Sequence, residues 1–143
     1  MDSLRELTRQ GMQEARNAGA FFRNQGWPVD AVLASPYRRA WHTALLFCEA
    51  AGVEAGPREE EFLASGMTVE QALSGLRPFV GDSRIVIVGH QPDFGELVCH
   101  LTGLAESEVR VGKGSLWELK VGAWQPGGAK VGFYRSAKDL AAG

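Results

Sequence analysis

The sequence predicts an α/β fold, a three-layer sandwich in which helices cover both faces of a mostly parallel sheet. Short apolar runs alternate with amphipathic helical stretches along the chain. The run "RIVIVG" is continuously apolar and β-branched, as a strand covered on both faces must be. A length of 143 residues suffices for one core but not two. A single domain over 1–143 is therefore expected.

Taken in order, "LTRQGMQEARNAGAFFRNQG" places Met12, Ala15, Gly19 and Phe22 at steps of three and four, with Thr8 as a cap and Gly26 as a stop. "VDAVLASP" reads as a short strand closed by Ser35-Pro36, where proline stops ladder bonding and can open the first turn of a helix. From Tyr37 to Ala51, residues Trp41, Ala44, Leu45, Cys48 and Ala51 share a face, and Gly52 ends the helix. Thr68 to Leu76 is a shorter helix with Val69, Ala72 and Leu76 inward. "RIVIVG" is expected in the middle of the sheet. Asp93 is expected to cap a helix presenting Phe94, Leu97, Val98 and Leu101 to the core. "SLWELKV" and "KVGFY" are two further strands joined by a Pro-Gly-Gly turn.

Composition excludes several classes. Hydrophobic residues at 45%, charged residues at 22% and a net charge of −2 give no global attraction to nucleic acid or anionic lipid, so neither is an expected partner. The run Ile85–Val88 is far short of the roughly 20 residues that span a bilayer, and the opening "MDSLRELTRQ" is polar. These features predict no membrane association and a cytoplasmic chain. Cys48 and Cys99, without a CxxC or a His/Cys cluster, read as buried free thiols. His42, His90 and His100 lack metal-ligand spacing, and neither metal nor cofactor is expected.

Ligands of open α/β sheets bind beyond the carboxyl ends of the strands, where helix N-termini present free N–H groups. Two such ends carry unusual residues. In "SPYRRA", Arg38 and Arg39 stand in a first helical turn, against the helix dipole, a cost of roughly 0.3–1 kcal/mol each that a bound anion would reverse. In "GHQPD", His90 stands between strand and helix. An imidazolium and a guanidinium together make a pocket for a tetrahedral dianion. A serine-hydrolase elbow at "GHQPD" fails, since Gln91 occupies the nucleophile position and Pro92 has no N–H for an oxyanion. His42 and His100 read as helix-surface or core-edge residues, and Glu59, Glu60 and Glu61 as a solvated face.

The order "RELTRQG", "VLASPYRRAWHTA", "IVIVGHQPDFGELV" resembles the histidine phosphatase superfamily, in particular its small SixA-type phosphohistidine phosphatases. Those carry R-x-L-T-x-x-G, S-P-x-x-R-A-x-x-T-A and G-H-x-P segments in this order, and the resemblance covers Leu4 to Val121. It implies a phosphoglycerate-mutase-like fold and phosphoryl transfer through a phosphohistidine intermediate. The substrate would be a phosphohistidine-containing protein or another phosphomonoester. By the same resemblance Arg39 is the phosphate-clamping arginine, His90 the second histidine of the pocket, and Arg5 an arginine near the phosphate; Arg38 falls on a variable position.

One departure outweighs these matches. The family's first element is a central strand ending in an R-H-G motif, whose histidine is the nucleophile. Only "MDSL" precedes "RELTRQG", and no Arg-His-Gly triplet occurs in the 143 residues. Three explanations are open: a start assigned too far downstream, a true truncation that leaves an inactive phosphate-binding remnant, or a sheet completed by another molecule. A missing central strand leaves two rows of backbone groups unpaired. The expectation is a hole or a rearranged edge beside Ile85–Val88.

Overall fold

The computed structural model describes residues 2–79, 81 and 84–143. After a 3-10 turn at Asp2–Leu4, the chain runs through α1 (Arg9–Gln25), β1 (Ala31–Ala34), α2 (Arg38–Ala51), β2 (Arg58–Glu59) and α3 (Val69–Leu76). It continues through β3 (Ile85–Val88), α4 (Asp93–Thr102), β4 (Leu116–Val121), β5 (Ala129–Arg135) and α5 (Ala137–Ala142). Thr8 caps α1 by accepting from the Gly11 N–H at 3.0 Å, and Gly26 ends it in the left-handed region at φ 69°. Thr68 and Gln71 close a reciprocal capping box on α3.

The strands form a parallel sheet in the order β2-β1-β3 and a separate antiparallel pair, β4-β5. Period-two alternation sorts the parallel strands onto two cores. Val32 and Ala34, with Val86 and Val88, meet Phe22, Ala44, Phe47 and Cys48 on the side of α1 and α2. Leu33, with Ile85 and Ile87, meets Leu73, Leu76, Leu97 and Leu101 on the side of α3 and α4. The three-layer arrangement is thus as expected. None of the helices is long and apolar enough to cross a membrane among the described residues.

Four expectations need correction. β3 is not central: it ends the sheet order, and all four of its residues are only half-buried, whereas Val32, Leu33 and Ala34 of β1 are at most 1% exposed. Its sequence is that of a doubly covered strand, but one lateral edge has no strand partner among the described residues. Pro36 lies before α2, whose N-cap is Tyr37. Asp93 is the first helical residue of α4 rather than its cap, because its carboxylate is used elsewhere. Cys99 is half-buried rather than buried; Cys48 is buried, and burial raises its thiol pKa to about 11, so it stays protonated. The short β2 and α5 lie outside the elements read from sequence.

The expected hole is present. A cavity of about 920 Å³ separates β3 from β4, lined by Ile85, Val86 and Ile87 on one side and Leu116 to Val121 on the other.

Close packing of α1 on α2 rests on Gly19, where an added Cβ would stand 2.5 Å from the Phe47 carbonyl oxygen and 2.7 Å from the Ala50 Cβ. Replacing a mid-helix glycine by alanine gains up to ~1 kcal/mol of helix propensity, whereas overpacking costs ~1–3 kcal/mol. The second term wins here, because the obstacle is backbone. Gly19→Ala is expected to destabilise the fold by about 1–2 kcal/mol in denaturant unfolding; an unchanged or raised midpoint would contradict this packing.

Candidate functional site

Parallel pairing brings the ends of β1 and β3 to one level, with Ala34 opposite Val88. The next residues of each strand therefore meet. Ser35 is fully buried and His90 is 7% exposed, and the Ser35 Oγ lies 2.7 Å from the His90 Nε2. The Tyr37 N–H donates to the same Oγ at 3.1 Å, so the serine folds the Ser-Pro turn that leads into α2. Gly89 stands beside it, where an added Cβ would lie 2.7 Å from the tip of the Phe94 ring, so a larger residue there would have to displace that ring.

Arg39 is the second residue of α2, a helix whose N-cap makes no side-chain hydrogen bond. Its guanidinium reaches the His90 Nδ1 at 3.4 Å and grips Asp2, donating to both carboxylate oxygens at 3.3 and 3.2 Å and to the Asp2 carbonyl oxygen at 2.8 Å. A guanidinium only donates, so Nδ1 is the acceptor of this contact. The proton of the neutral ring is therefore on Nε2 and is donated to Ser35. Burial lowers the His90 pKa below its ordinary value, Arg39 lowers it further, and Asp93 and Asp2 oppose the shift. The imidazolium expected from sequence is thus disfavoured in the free protein.

The Tyr37 ring packs on His90 with centroids 4.7 Å apart, and the Arg39 Cζ lies 5.5 Å from the same ring. Asp93, 7% exposed, accepts from the Gly66 and Met67 N–H groups at 2.9 and 3.1 Å, tying the loop before α3 to the turn that carries His90. Gln91 supplies a cap in place of Asp93: its Oε1 accepts from the Gly95 N–H at 2.7 Å.

Of the residues singled out from sequence, Arg39 and His90 are brought together. Arg5 is not in contact with either. It is exposed, with its Nε 3.8 Å from the Asp2 carboxylate that Arg39 holds. Two arginines thus flank one carboxylate. Arg38 is exposed and pairs with Glu6 at 3.0 Å. Glu60 pairs with Arg58 at 3.8 Å, and Glu59 and Glu61 are exposed. His42 and His100 lie within α2 and α4. Sequence reasoning missed Ser35 as a partner of His90, although its position at a strand end was a signal. It missed Tyr37 because that residue falls on a variable position of the motif. Nothing in the sequence pointed to Asp2.

The arrangement is an oxyanion cradle at the carboxyl edge of a parallel sheet, occupied by the chain's own carboxylate. A structure of the protein histidine phosphatase SixA complexed with tungstate matches this fold with a TM-score of 0.85 at 20% identity, covering 98% of this chain and 89% of that one. A protein from Nakamurella multipartitia assigned as a phosphohistidine phosphatase SixA matches with a TM-score of 0.78 at 27% identity, over 95% and 87% of the two chains. The sequence profile of the histidine phosphatase superfamily (branch 1) matches residues 5–64, the segment that holds Arg5, Ser35 and Arg39. The matched segment, 60 of the 143 residues, is similar to the histidine phosphatase superfamily. The fold of the chain is that of the SixA-type members. A relative from Picosynechococcus, itself uncharacterised, is 32% identical over 99 residues, 66% of this chain; the chain spans 58% of that relative's length.

The tautomer of His90 links anion binding to a proton. A dianion in place of Asp2 would face the Nδ1 lone pair, so its arrival should raise the His90 pKa and place a proton on Nδ1. Titration of the imidazole by NMR is expected to show a pKa below 6.5 in the free protein, and a higher one with tungstate added. An identical titration with and without tungstate would contradict the arrangement. In the free protein, the unfolded chain takes up the His90 proton near pH 6.5, before the folded one does. Stability present above that pH is therefore expected to fall as pH drops from 6.5 towards the folded-state pKa, and His90→Gln should flatten this slope in thermal melts.

Proposed function

We propose that this site is the phosphate-holding half of a phosphohistidine phosphatase centre, acting on phosphohistidine in a protein. The observation that carries this reading is the grip of Arg39 on a carboxylate, bidentate and beside a buried histidine at the end of a parallel strand. A guanidinium fork holds phosphate in the same way, which a lysine cannot do. Tungstate, bound in the SixA structure that shares this fold, is likewise a tetrahedral dianion.

A transferring phosphoryl group needs mainly positioning and charge stabilisation. Arg39 supplies two parallel donors. His90 adds a third once Nδ1 is protonated, and Ser35 holds the ring by its other nitrogen. Arg5 is placed to join when Asp2 leaves. By the family mechanism, the nitrogen–phosphorus bond of the substrate breaks as one forms to an enzyme histidine, and water then releases phosphate. The substrate imidazole takes up a proton as it departs.

The attacking histidine is not supplied by these residues. His42 and His100 do not stand at strand ends, and no Arg-His-Gly triplet is present. Turnover on this reading therefore needs a nucleophilic histidine from a segment outside these 143 residues, upstream in the same chain or from another molecule. The same feature supports a second reading, a domain that binds phosphorylated partners without turning them over.

Phosphate release from a phosphohistidine peptide and from a phosphoserine peptide, by this chain and by a version extended upstream with an apolar strand and Arg-His-Gly, separates the readings. The extended chain is expected to turn over the phosphohistidine peptide, and His90→Ala within it to lower the rate by about 10²–10³. In the 143-residue chain, Arg39→Ala is expected to weaken tungstate binding by ~1.5–3 kcal/mol, roughly 10- to 150-fold. Binding without turnover in both versions leaves the second reading; tungstate affinity indifferent to both Arg39→Ala and His90→Ala overturns both readings. Because Asp2 occupies the fork, Asp2→Asn is expected to tighten tungstate binding by ~0.5–1 kcal/mol, about two- to fivefold, in calorimetric titration.

A further inference from the structure

The anion seat formed by Arg39 and His90 has a third wall, and that wall is aromatic. The Tyr37 ring packs on the His90 imidazole with centroids 4.7 Å apart and ring planes inclined at 56°. The Arg39 Cζ lies 5.5 Å from the centroid of the same ring, and the guanidinium lies 3.4 Å from the His90 Nδ1. Imidazole, guanidinium and phenol ring thus form one three-sided group, and an anion held by the first two has the third at its side. The backbone fixes this wall. Tyr37 follows Pro36 in an extended conformation, at φ −61° and ψ 136°, and its N–H donates to the Ser35 Oγ at 3.1 Å. The same oxygen lies 2.7 Å from the His90 Nε2, so one buried hydroxyl ties the backbone of the wall to the ring that the wall covers. Tyr37 itself is half-buried, which leaves part of it open to a ligand.

We propose that Tyr37 is a specificity-determining residue of this site: its ring stacks the flat imidazole of an incoming phosphohistidine and favours an aromatic ring bonded directly to phosphorus over an alkyl phosphate. The proposal rests on the phosphate reading of Arg39 and His90, and it adds what the phosphoryl group is attached to. A tetrahedral anion offers similar oxygens whatever it is bonded to, so the guanidinium fork and the imidazole do not separate phosphohistidine from phosphoserine. The group one bond from phosphorus does separate them, and a residue that borders the phosphate also borders that group. Offset and edge-to-face aromatic pairs gain more than their buried area, whereas a serine methylene gains area alone. Protonation of the substrate imidazole, which accompanies its departure, makes the ring a cation, and the face of a phenol ring attracts cations as well. Because Tyr37 is already held by the Ser35 hydroxyl and by packing on His90, little ordering of the wall is left for the ligand to impose.

The test needs binding and no turnover. Calorimetric titration of the intact chain compares methylphosphonate, cyclohexylphosphonate, phenylphosphonate, whose ring is bonded directly to phosphorus, and phenyl phosphate, whose ring is spaced by an oxygen as in phosphotyrosine. Phenylphosphonate is expected to bind about two- to tenfold tighter than cyclohexylphosphonate, which has a similar size but no flat face. Tyr37→Leu keeps the backbone N–H that Ser35 accepts and should bring this ratio to about one, while Tyr37→Phe should retain it, since the ring and not the hydroxyl does the stacking. A ratio near one in the unaltered chain overturns the proposal. So does a ratio that survives Tyr37→Leu, even if every ligand then binds more weakly, because Tyr37 would only be orienting His90 and Arg39. A greater loss for phenyl phosphate than for phenylphosphonate on Tyr37→Leu overturns imidazole as the stacked group and assigns the wall to phosphotyrosine. Methylphosphonate separates the two levels of the argument. If its affinity ignores Arg39→Ala, the phosphate reading falls and the proposal with it; if it depends on Arg39 while the phenyl-to-cyclohexyl ratio is near one, the reading stands and the role of Tyr37 falls alone.

Discussion

The in-register parallel pairing of β1 with β3, Ala31 opposite Ile85 through Ala34 opposite Val88, sets the level at which two chain segments leave the sheet. Among the described residues, the buried polar side chains Ser35, His90 and Asp93 lie past that level. A slip of one residue would flip every side chain of β3 between the two cores and carry His90 away from Ser35. The 2.7 Å contact between these two residues therefore depends on apolar packing several residues away. The same register places the starts of α2 and α4 on one edge, so that Arg39 and His90 approach each other from different elements.

Electrostatics at that edge are balanced for an anion rather than for a bare protein. Arg39 beside His90 lowers the pKa of the imidazole, and the carboxylate of Asp2 offsets part of that effect. Self-occupation of the fork by Asp2 stabilises the free state by a small amount, because the pair is partly exposed. Tyr37, packed on both His90 and Arg39, limits how far either ring or fork can swing.

The gap between β3 and β4 ties architecture to chemistry. It lies between the parallel sheet and the antiparallel pair. Both cores nevertheless extend to either side of it, so the helices form continuous layers over a discontinuous sheet. The half-burial of Ile85–Val88 is the local signature: four β-branched residues whose composition suits a fully covered strand stand at an edge.

By itself the sequence determined the helices α1 to α4, through periodicity and through caps such as Thr8 and Thr68, because these signals are local and each spans only a few residues. It also determined the strands β1 and β3, and it marked Arg39 and His90, because a polar residue past an apolar run is visible without knowing the fold. Asp93 and Gln91 show the limit of such reading. Both can cap a helix, and only the fold decided that Gln91 does so while Asp93 turns to Gly66 and Met67. The tertiary structure alone decided that Ser35 holds His90, that Asp2 sits in the Arg39 fork across 37 residues of chain, and that burial lowers the His90 pKa below its ordinary value. The reason is physical: each of these depends on distances between elements far apart in sequence, and burial and Coulomb interactions are set by those distances rather than by residue spacing along the chain.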